Sequence, residues 1–532
     1  MKTLFKYLPV ALMALTGCTD WSDHYDDLAA ASGSDMTLWQ TLEQRPELSD
    51  FREVLSHTEV FRMHKKTGVS YAQLLNSGQS FTVMAPINGT FNKDSILQLV
   101  TTNYGDSAVE KSFVGNHLSR STTSAIAGRK EMRLANTKRI MIGDGKVGNV
   151  GILDANIHAK NGVLHVVEHN VPYAYNLYEA MCDLPQFKEV GNILRLYEED
   201  EFDENASLSN GTIDGVPVYI DSVVVERNKM LEAIGLLNAE DSTYRMVVPS
   251  KEGWQRAWQK ASEYFVYDKK VAKSDSISRH WITRALLDDA IYNMTLQDSP
   301  EDSLISVQYN RKEPKYHVFY NPYAADGVLG NVERTIECSN GILYETKEWP
   351  FRPEQTFFRE IKCEAEDESL ILANTSSSYN SRMYSADSVS GTGYLDIVPE
   401  TELSNWTMTF NVKNTIAGAY DICAIILPNS IYNNVSPNTL SCKFRASVIY
   451  VNEKGEEKSD NLGNTVFTNN PFKVDTVVVA RGFKFPVCNY DQINTKIKVK
   501  LTCYITKKET DYYSREMFLD CIFLRPTSNN EE

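Results

Sequence analysis

The sequence predicts an α+β protein in which two related domains, each of helices around a mixed sheet, precede an all-β sandwich. Three observations carry this. Three blocks recur in the same order along the first two thirds of the chain. Apolar residues within the first block of each copy follow a helical period. From about Arg352 that period disappears, and segments alternating every second residue take over, separated by turn residues.

The 532 residues are 42% hydrophobic and 23% charged, the balance of an ordered globular chain. Length alone allows three or four domains. With 54 Lys+Arg against 70 Asp+Glu the net charge is −16, so the surface repels a phosphate backbone and nucleic acid is not an expected partner. No apolar run approaches the roughly 20 residues of a spanning helix.

At the N-terminus, Lys2 and Lys6 precede the short apolar stretch YLPVALMAL. This reads as a secretory signal over 1–17. Leu15-Thr16-Gly17-Cys18 resembles a bacterial lipobox, which implies lipidation of Cys18. The segment 18–34 begins with Asp20, Asp23, Asp26 and Asp27 and ends small and polar, as a tether does. An acidic stretch behind a lipid Cys resembles the export signal of surface lipoproteins in Bacteroidetes-type bacteria. Removing the signal with its two lysines leaves 515 residues and a charge of −18.

The domain over 35–174 opens with MTLWQTLEQRPELSDF, and the one over 175–350 with YNLYEAMCDLPQFKEV. Leu38, Trp39, Leu42, Pro46 and Leu48 recur 139 positions later as Leu177, Tyr178, Met181, Pro185 and Phe187. FTVMAPINGTF from Phe81 matches YRMVVPSKEGW from Tyr244, and NGVLHVVEH from Asn161 matches NGILYETKEW from Asn340. Ordered matches separated by growing insertions mark an internal duplication. Pro86 should end a strand by removing a donor, and Asn88 could cap the next helix. The Asn161-Gly162 pair should turn the chain through positive φ into a strand.

These blocks resemble the fasciclin-1 family, whose domain carries a T-x-F-A-P-T-N-x-A-F motif, a central His and a closing N-G-x-x-H strand. Phe81, Ala85, Pro86, Asn88 and Phe91 fit the first motif, His117 falls at the central His, and Asn161, Gly162, Val163, His165 and Val167 fit the last. In the second copy Ser250 and Lys251 replace the Thr-Asn pair, Tyr344 replaces the closing His, and Tyr292 or Asn293 replaces the central one. His117 and His165 read as half-buried residues serving backbone groups. His165 and His169 lie four apart on a strand, about 13 Å along the chain, which rules out a shared metal.

The second copy also holds an acidic run, Glu198, Glu199, Asp200, Glu201, Asp203 and Glu204, without the spacing of a calcium loop. It reads as a solvated loop. VPVYIDSVVVER behind it reads as a strand pair or an edge addition.

Over 351–532, WTMTFNV, AYDICAIIL, CKFRASVIYV, KVDTVVVARGF, TKIKVKLTCYI and EMFLDCIFLRP give the strands of a sandwich. The pattern resembles jelly-roll modules of galactose-binding and carbohydrate-binding type. Such folds hold sugars on aromatic platforms, and Tyr379, Tyr384, Tyr394, Tyr432, Tyr490, Tyr512 and Tyr513, all in turn-like contexts, are the candidates. Eight cysteines besides Cys18 form an even set in an exported chain, which permits disulfides. No C-x-x-C occurs and no His follows His317, so no metal site is expected.

Nucleophile-elbow, zinc-protease and phosphate-loop motifs are absent. Asp288 and Asp289 are adjacent and should point about 100° apart on a helix, a poor acid/base pair. No catalytic residue and no cofactor is expected. The expected function is that of a non-catalytic, surface-exposed outer-membrane lipoprotein that mediates binding. Fasciclin-type lipoproteins of such bacteria accompany SusC/SusD-like transporters. The resemblance therefore implies an accessory role in glycan or peptide uptake, with a TonB-dependent transporter and its SusD-like lipoprotein as partners and a glycan as ligand. Cell adhesion or matrix binding is the alternative from the fasciclin side, and glycan hydrolysis by the sandwich a third.

Overall fold

The computed structural model describes residues 35–62, 65–213, 216–294, 303–432, 434–491 and 496–527. The expected lipid-bearing Cys18, the signal and the tether lie outside them. No helix among the described residues is long and apolar enough to cross a membrane.

Each of the first two units is built on one parallel strand pair. Phe81–Pro86 runs beside Gly162–Val167, and Tyr244–Pro249 beside Gly341–Thr346, with Phe81 opposite Gly162 and Tyr244 opposite Gly341. The first sheet continues from Gly162–Val167 through Val150–Ala159 to Lys130–Arg133 and holds seven strands; the second holds four. Every residue of Phe81–Pro86 is buried, as a strand covered on both faces must be.

The duplication extends to single hydrogen bonds. Asn161 Oδ1 accepts from Leu38 N (2.7 Å), and its Nδ2 donates to the carbonyls of Leu75, Ser77 and Gln79. Asn340 Oδ1 accepts from Leu177 N (2.9 Å), and its Nδ2 donates to Leu237 and Ala239. Both asparagines are buried and both tie the opening helix to the central strand. The next residue is Gly162 or Gly341, with φ of +146° and +152°. A Cβ there would lie 1.9 Å from Phe81 O or 2.0 Å from Tyr244 O, so only glycine fits. Capping boxes start both opening helices, Thr37 with Gln40 before Leu38–Glu43 and Asn176 with Glu179 before Leu177–Asp183.

Several expectations need correction. Asn88 does not cap the helix after it. Its Oδ1 accepts from Asp50 N and its Nδ2 donates to Pro46 O and Ser49 Oγ, locking the turn between the two opening helices, while Asn92 caps Lys93–Leu99. His117 and His165 are fully buried, not half-buried. His117 shares Nδ1 with Phe113 O (2.7 Å), accepts at Nε2 from Val171 N (2.9 Å), and is pushed down to about 4 by burial, so it is neutral. Its counterpart in the second copy is neither Tyr292 nor Asn293. Met84 N donates to His117 O as Val247 N donates to Ala290 O, which puts Ala290 in that place.

The acidic run is not a loop. Glu198–Ile213 is a strand paired antiparallel with Val216–Asn228, and these two form a sheet of their own. The second strand is one arm of this ribbon and adds to no domain's edge. Residues 198–228 carry nine Asp/Glu against one Arg, a net −8 that is half of the chain's −16.

The third unit is an antiparallel sandwich. One sheet runs Ser377–Met383, Gly393–Pro399, Met517–Pro526, Gly418–Leu427, Asp475–Phe485, with Ile361–Glu364 also on Met517–Pro526; the other runs Ile371–Thr375, Thr407–Asn411, Lys498–Cys503, Ser441–Val451, Glu457–Asp460. The core between them, with Trp406, Phe410, Tyr420 and Phe444, is continuous with that of the second unit. Phe265 and Tyr267 of the second unit belong to it, and Tyr264 packs on Phe358 at 4.9 Å. Backbone bonds cross the junction, Ala417 N to Tyr264 O (2.9 Å) and Cys488 N to Val266 O (2.6 Å). Lys496 Nζ meets the buried Asp268 carboxylate at 2.5 Å. All eight described cysteines are free thiols, so the disulfides that their even number permits are not formed.

The first and second units meet through charge. Lys138, 3% exposed, reaches Glu179 (2.9 Å), Glu240 (2.8 Å) and Ser339 Oγ (3.0 Å). Lys111 adds a second cation to Glu179 (2.5 Å), and Arg139 pairs with Asp241 (2.8 Å).

Candidate binding surface on the sandwich

The seven tyrosines do not gather at one place, and three of them are not in turns. Tyr379 and Tyr394 lie within strands Ser377–Met383 and Gly393–Pro399, and Tyr513 starts the short strand Tyr513–Ser514. Strand position fixes a side chain to one face of the sheet. Tyr379 and Tyr513 are accordingly half-buried against the main core, and Tyr512 stands 70% exposed. Tyr490 is elsewhere, at the junction with the second unit, with its ring 4.5 Å from that of Trp281.

Tyr384, Tyr394 and Tyr432 do converge. Tyr394 is buried at the centre, 6.4 Å from Tyr384 and 5.1 Å from Phe518 between ring centroids, and Tyr432 closes the group 6.3 Å from Phe518. Arg382 sits opposite Tyr394 in the ladder, and its guanidinium carbon lies 4.3 Å from the Tyr432 ring centre. This stacking holds Tyr432 with 61% of its surface in solvent. Arg382 is itself fixed by Asp396, with Nε at 2.8 Å and Nη2 at 2.6 Å from Oδ2. The other Asp396 oxygen is buried without a partner.

Polar groups rim the aromatics. Asn429 Nδ2 donates to Glu516 Oε2 (3.3 Å), Asn429 Oδ1 accepts from Asn438 N (2.9 Å), and Asn438 Nδ2 donates to Ser514 Oγ (3.1 Å). Burial, and then Asp396, raise the Glu516 carboxyl above its ordinary range. An exposed ring on a fixed backing, with amide and carboxylate groups beside it, can take the apolar face of a sugar and bond its hydroxyls. Arg382, Asp396 and Phe518 belong to no motif in the sequence. Period-two alternation in GYLDIVP already puts Tyr394 and Asp396 on one face, but the Arg382 contact needs the strand register.

Nearby, a group of carboxylates forms around a β-bulge. Ile425 faces Cys521 and Ile426 faces Leu519, leaving Asp520 as the extra residue. Its carboxylate accepts from Ser390 N (3.0 and 3.2 Å), Glu364 Oε1 accepts from Ser390 Oγ (2.8 Å), and Glu366 Oε1 accepts from the amides of Thr392 and Gly393. Burial, aided by Glu364 and Glu366, pushes Asp520 up to about 7. The group pins the turn that leads into Gly393–Pro399. Among the described residues, no group of three or more His, Cys, Asp or Glu is arranged to hold a metal ion.

No family model matches the chain, and no curated protein matches it. Among solved structures it is similar to a FAS1 domain pair from the insect cell adhesion molecule Fasciclin I, at 12% identity over 53% of this chain and 91% of that one, TM-score 0.19. It is also similar to a family 35 carbohydrate binding module from Clostridium thermocellum, at 12% identity over 32% of this chain and 99% of that one, TM-score 0.18. A third likeness is to the CBM22-1 and GH10 modules of a Clostridium thermocellum endo-1,4-beta-D-xylanase complexed with xylohexaose. There the identity is 11% over 32% of this chain, the TM-score is 0.22, and the chain spans only 28% of that protein.

Proposed function

We propose that this chain is a non-catalytic binding protein of the bacterial outer surface, anchored through Cys18, that serves a SusC/SusD-like nutrient-uptake complex as an accessory glycan-binding component. The observation that carries the ligand part is the Tyr432 ring, exposed and held by Arg382 beside Tyr384 and a polar rim. Aromatic platforms of this kind favour pyranose rings, because the ring face is apolar and the edges carry hydroxyls. The two α+β units act as the stalk and as protein-contact surfaces toward the transporter. Asp288 and Asp289 each pair with a guanidinium, Arg284 and Arg359, and we assign neither a catalytic role.

Two measurements test the reading. On a glycan array the full chain should bind at least one plant or host polysaccharide. Tyr432→Ala and Arg382→Ala should each weaken that binding by roughly 10-fold or more, about 1.4 kcal/mol. An array without any signal removes the glycan part. Pull-down of the chain from detergent-solubilised outer membrane should bring down a TonB-dependent transporter in stoichiometric amount, and a pull-down without one removes the transport part.

A further inference from the structure

The junction of the second unit with the sandwich encloses a cleft of about 610 Å³, well separated in role from the Tyr432 surface and open at one side. That volume lies within the range of small-molecule sites. Its walls come from both units. Trp281 and Tyr490 form an aromatic side at 4.5 Å from each other, inclined by 69°. On the floor, Thr356 is 2% exposed and Asn411 8% exposed, and the Thr356 hydroxyl and the Asn411 side-chain oxygen have no hydrogen-bond partner in the protein. Buried polar atoms in a native fold are normally hydrogen-bonded, by protein, by water or by a bound ligand.

The charged groups of the cleft decide what kind of partner. Arg284 Nε lies 2.5 Å from Asp288, Arg359 Nη2 lies 2.6 Å from Asp289, and His317 Nδ1 lies 3.0 Å from the other Asp289 oxygen. Arg359 Nη1 also donates to His317 Nε2 (3.3 Å). Each guanidinium is thus compensated where it stands. Four Lys or Arg face five Asp or Glu over the whole lining, so the cleft has almost no net charge with which to select an ion. What it offers is a dense alternation of donors and acceptors beside aromatic rings. Hydroxyl groups, which donate and accept together, suit that alternation. The shared core and the Lys496–Asp268 pair hold the two walls at a fixed separation, so the site is formed before any ligand arrives.

We propose that this cleft is a second binding site, for a neutral sugar of one to a few units, with Trp281 and Tyr490 stacking on the ring and Asn411 and Thr356 accepting its hydroxyls. The proposal is independent of the Tyr432 surface. Its test is titration of the full chain with cellobiose, lactose, maltose and xylobiose, followed by intrinsic tryptophan fluorescence and by calorimetry. At least one sugar should bind saturably and change the fluorescence. Asn411→Leu and Thr356→Val should each weaken binding at least 10-fold, while Trp281→Phe should remove most of the fluorescence change. Lys413→Trp, a substitution at an exposed position on the mouth, should block binding without lowering the melting temperature. Tyr432→Ala should leave this binding intact. The proposal is overturned if none of the four sugars binds, or if binding survives Lys413→Trp. It is equally overturned if Tyr432→Ala abolishes binding while Asn411→Leu does not, a result that would leave the proposed function standing.

Discussion

Asn161 and Asn340 show how much of a domain one side chain can organise. Each uses both ends of its amide, so a helix start, a loop end and the entry to the central strand are fixed together. Asn161→Ala should strand one amide and three carbonyls in the interior. The expected cost is about 3–5 kcal/mol, several buried hydrogen-bonding groups at about 1–3 kcal/mol each, partly relieved by water. Urea unfolding of the variant checks it, and a loss under 1 kcal/mol would show the amide to be dispensable. This asparagine was legible beforehand as a turn former, because Asn-Gly before alternating apolar residues has local meaning. Its long-range bonds were not, since Leu38 and Asn161 are brought together only by the fold. The same holds for the tyrosines: residue type marked Tyr432 as a candidate, but only the register of Ser377–Met383 against Gly393–Pro399 supplies Arg382 as its backing.

At the scale of elements, alternation identified the strands of the sandwich and the repeat identified the paired domains. The acidic ribbon escaped because carboxylates have low strand propensity and six of them within seven positions look like a solvated loop. Its pairing is carried instead by Val216–Asn228, with Val223, Val224 and Val225 in register against Asp203, Phe202 and Glu201. The Lys138 contact is likewise invisible locally, since a lysine in a short loop carries no signal of burial. Burial alone would raise Glu179, yet Lys111 and Lys138 outweigh it and hold the carboxyl down at about 2. A carboxyl depressed on folding stabilises above its unfolded value near 4.5, and that stabilisation is lost as pH falls toward 2. The interface between the first two units should therefore weaken over this window, by an amount on the order of 3 kcal/mol. Lys111→Met and Lys138→Met together should remove most of the pH dependence between 4.5 and 2, with Lys111→Met giving the larger share. Small-angle scattering or limited proteolysis at the junction would follow it, and an unchanged profile in the double variant would assign the effect to other groups.

Over the whole molecule, two kinds of junction alternate. The first is a set of ion pairs around Lys138, and the second is a continuous apolar core with backbone bonds across it. Interfaces of the first kind behave as separable contacts, and those of the second as the interior of one domain. Scanning calorimetry should thus show two transitions, one for the first unit and one for the second unit and the sandwich together. Deleting 351–532 should leave the second unit unable to fold, whereas deleting 35–174 should leave the remainder with its transition intact. Three independent transitions would contradict the shared core.

That fused core also constrains how such a chain can have been assembled. Cutting at the point where the pattern of the sequence changes, near residue 350, would lay bare Tyr264, Phe265, Phe357 and Phe358 to water. The sandwich cannot be exchanged as a cassette without its neighbour. Recombination that preserves the fold must carry everything from about residue 175 onward as one inherited piece.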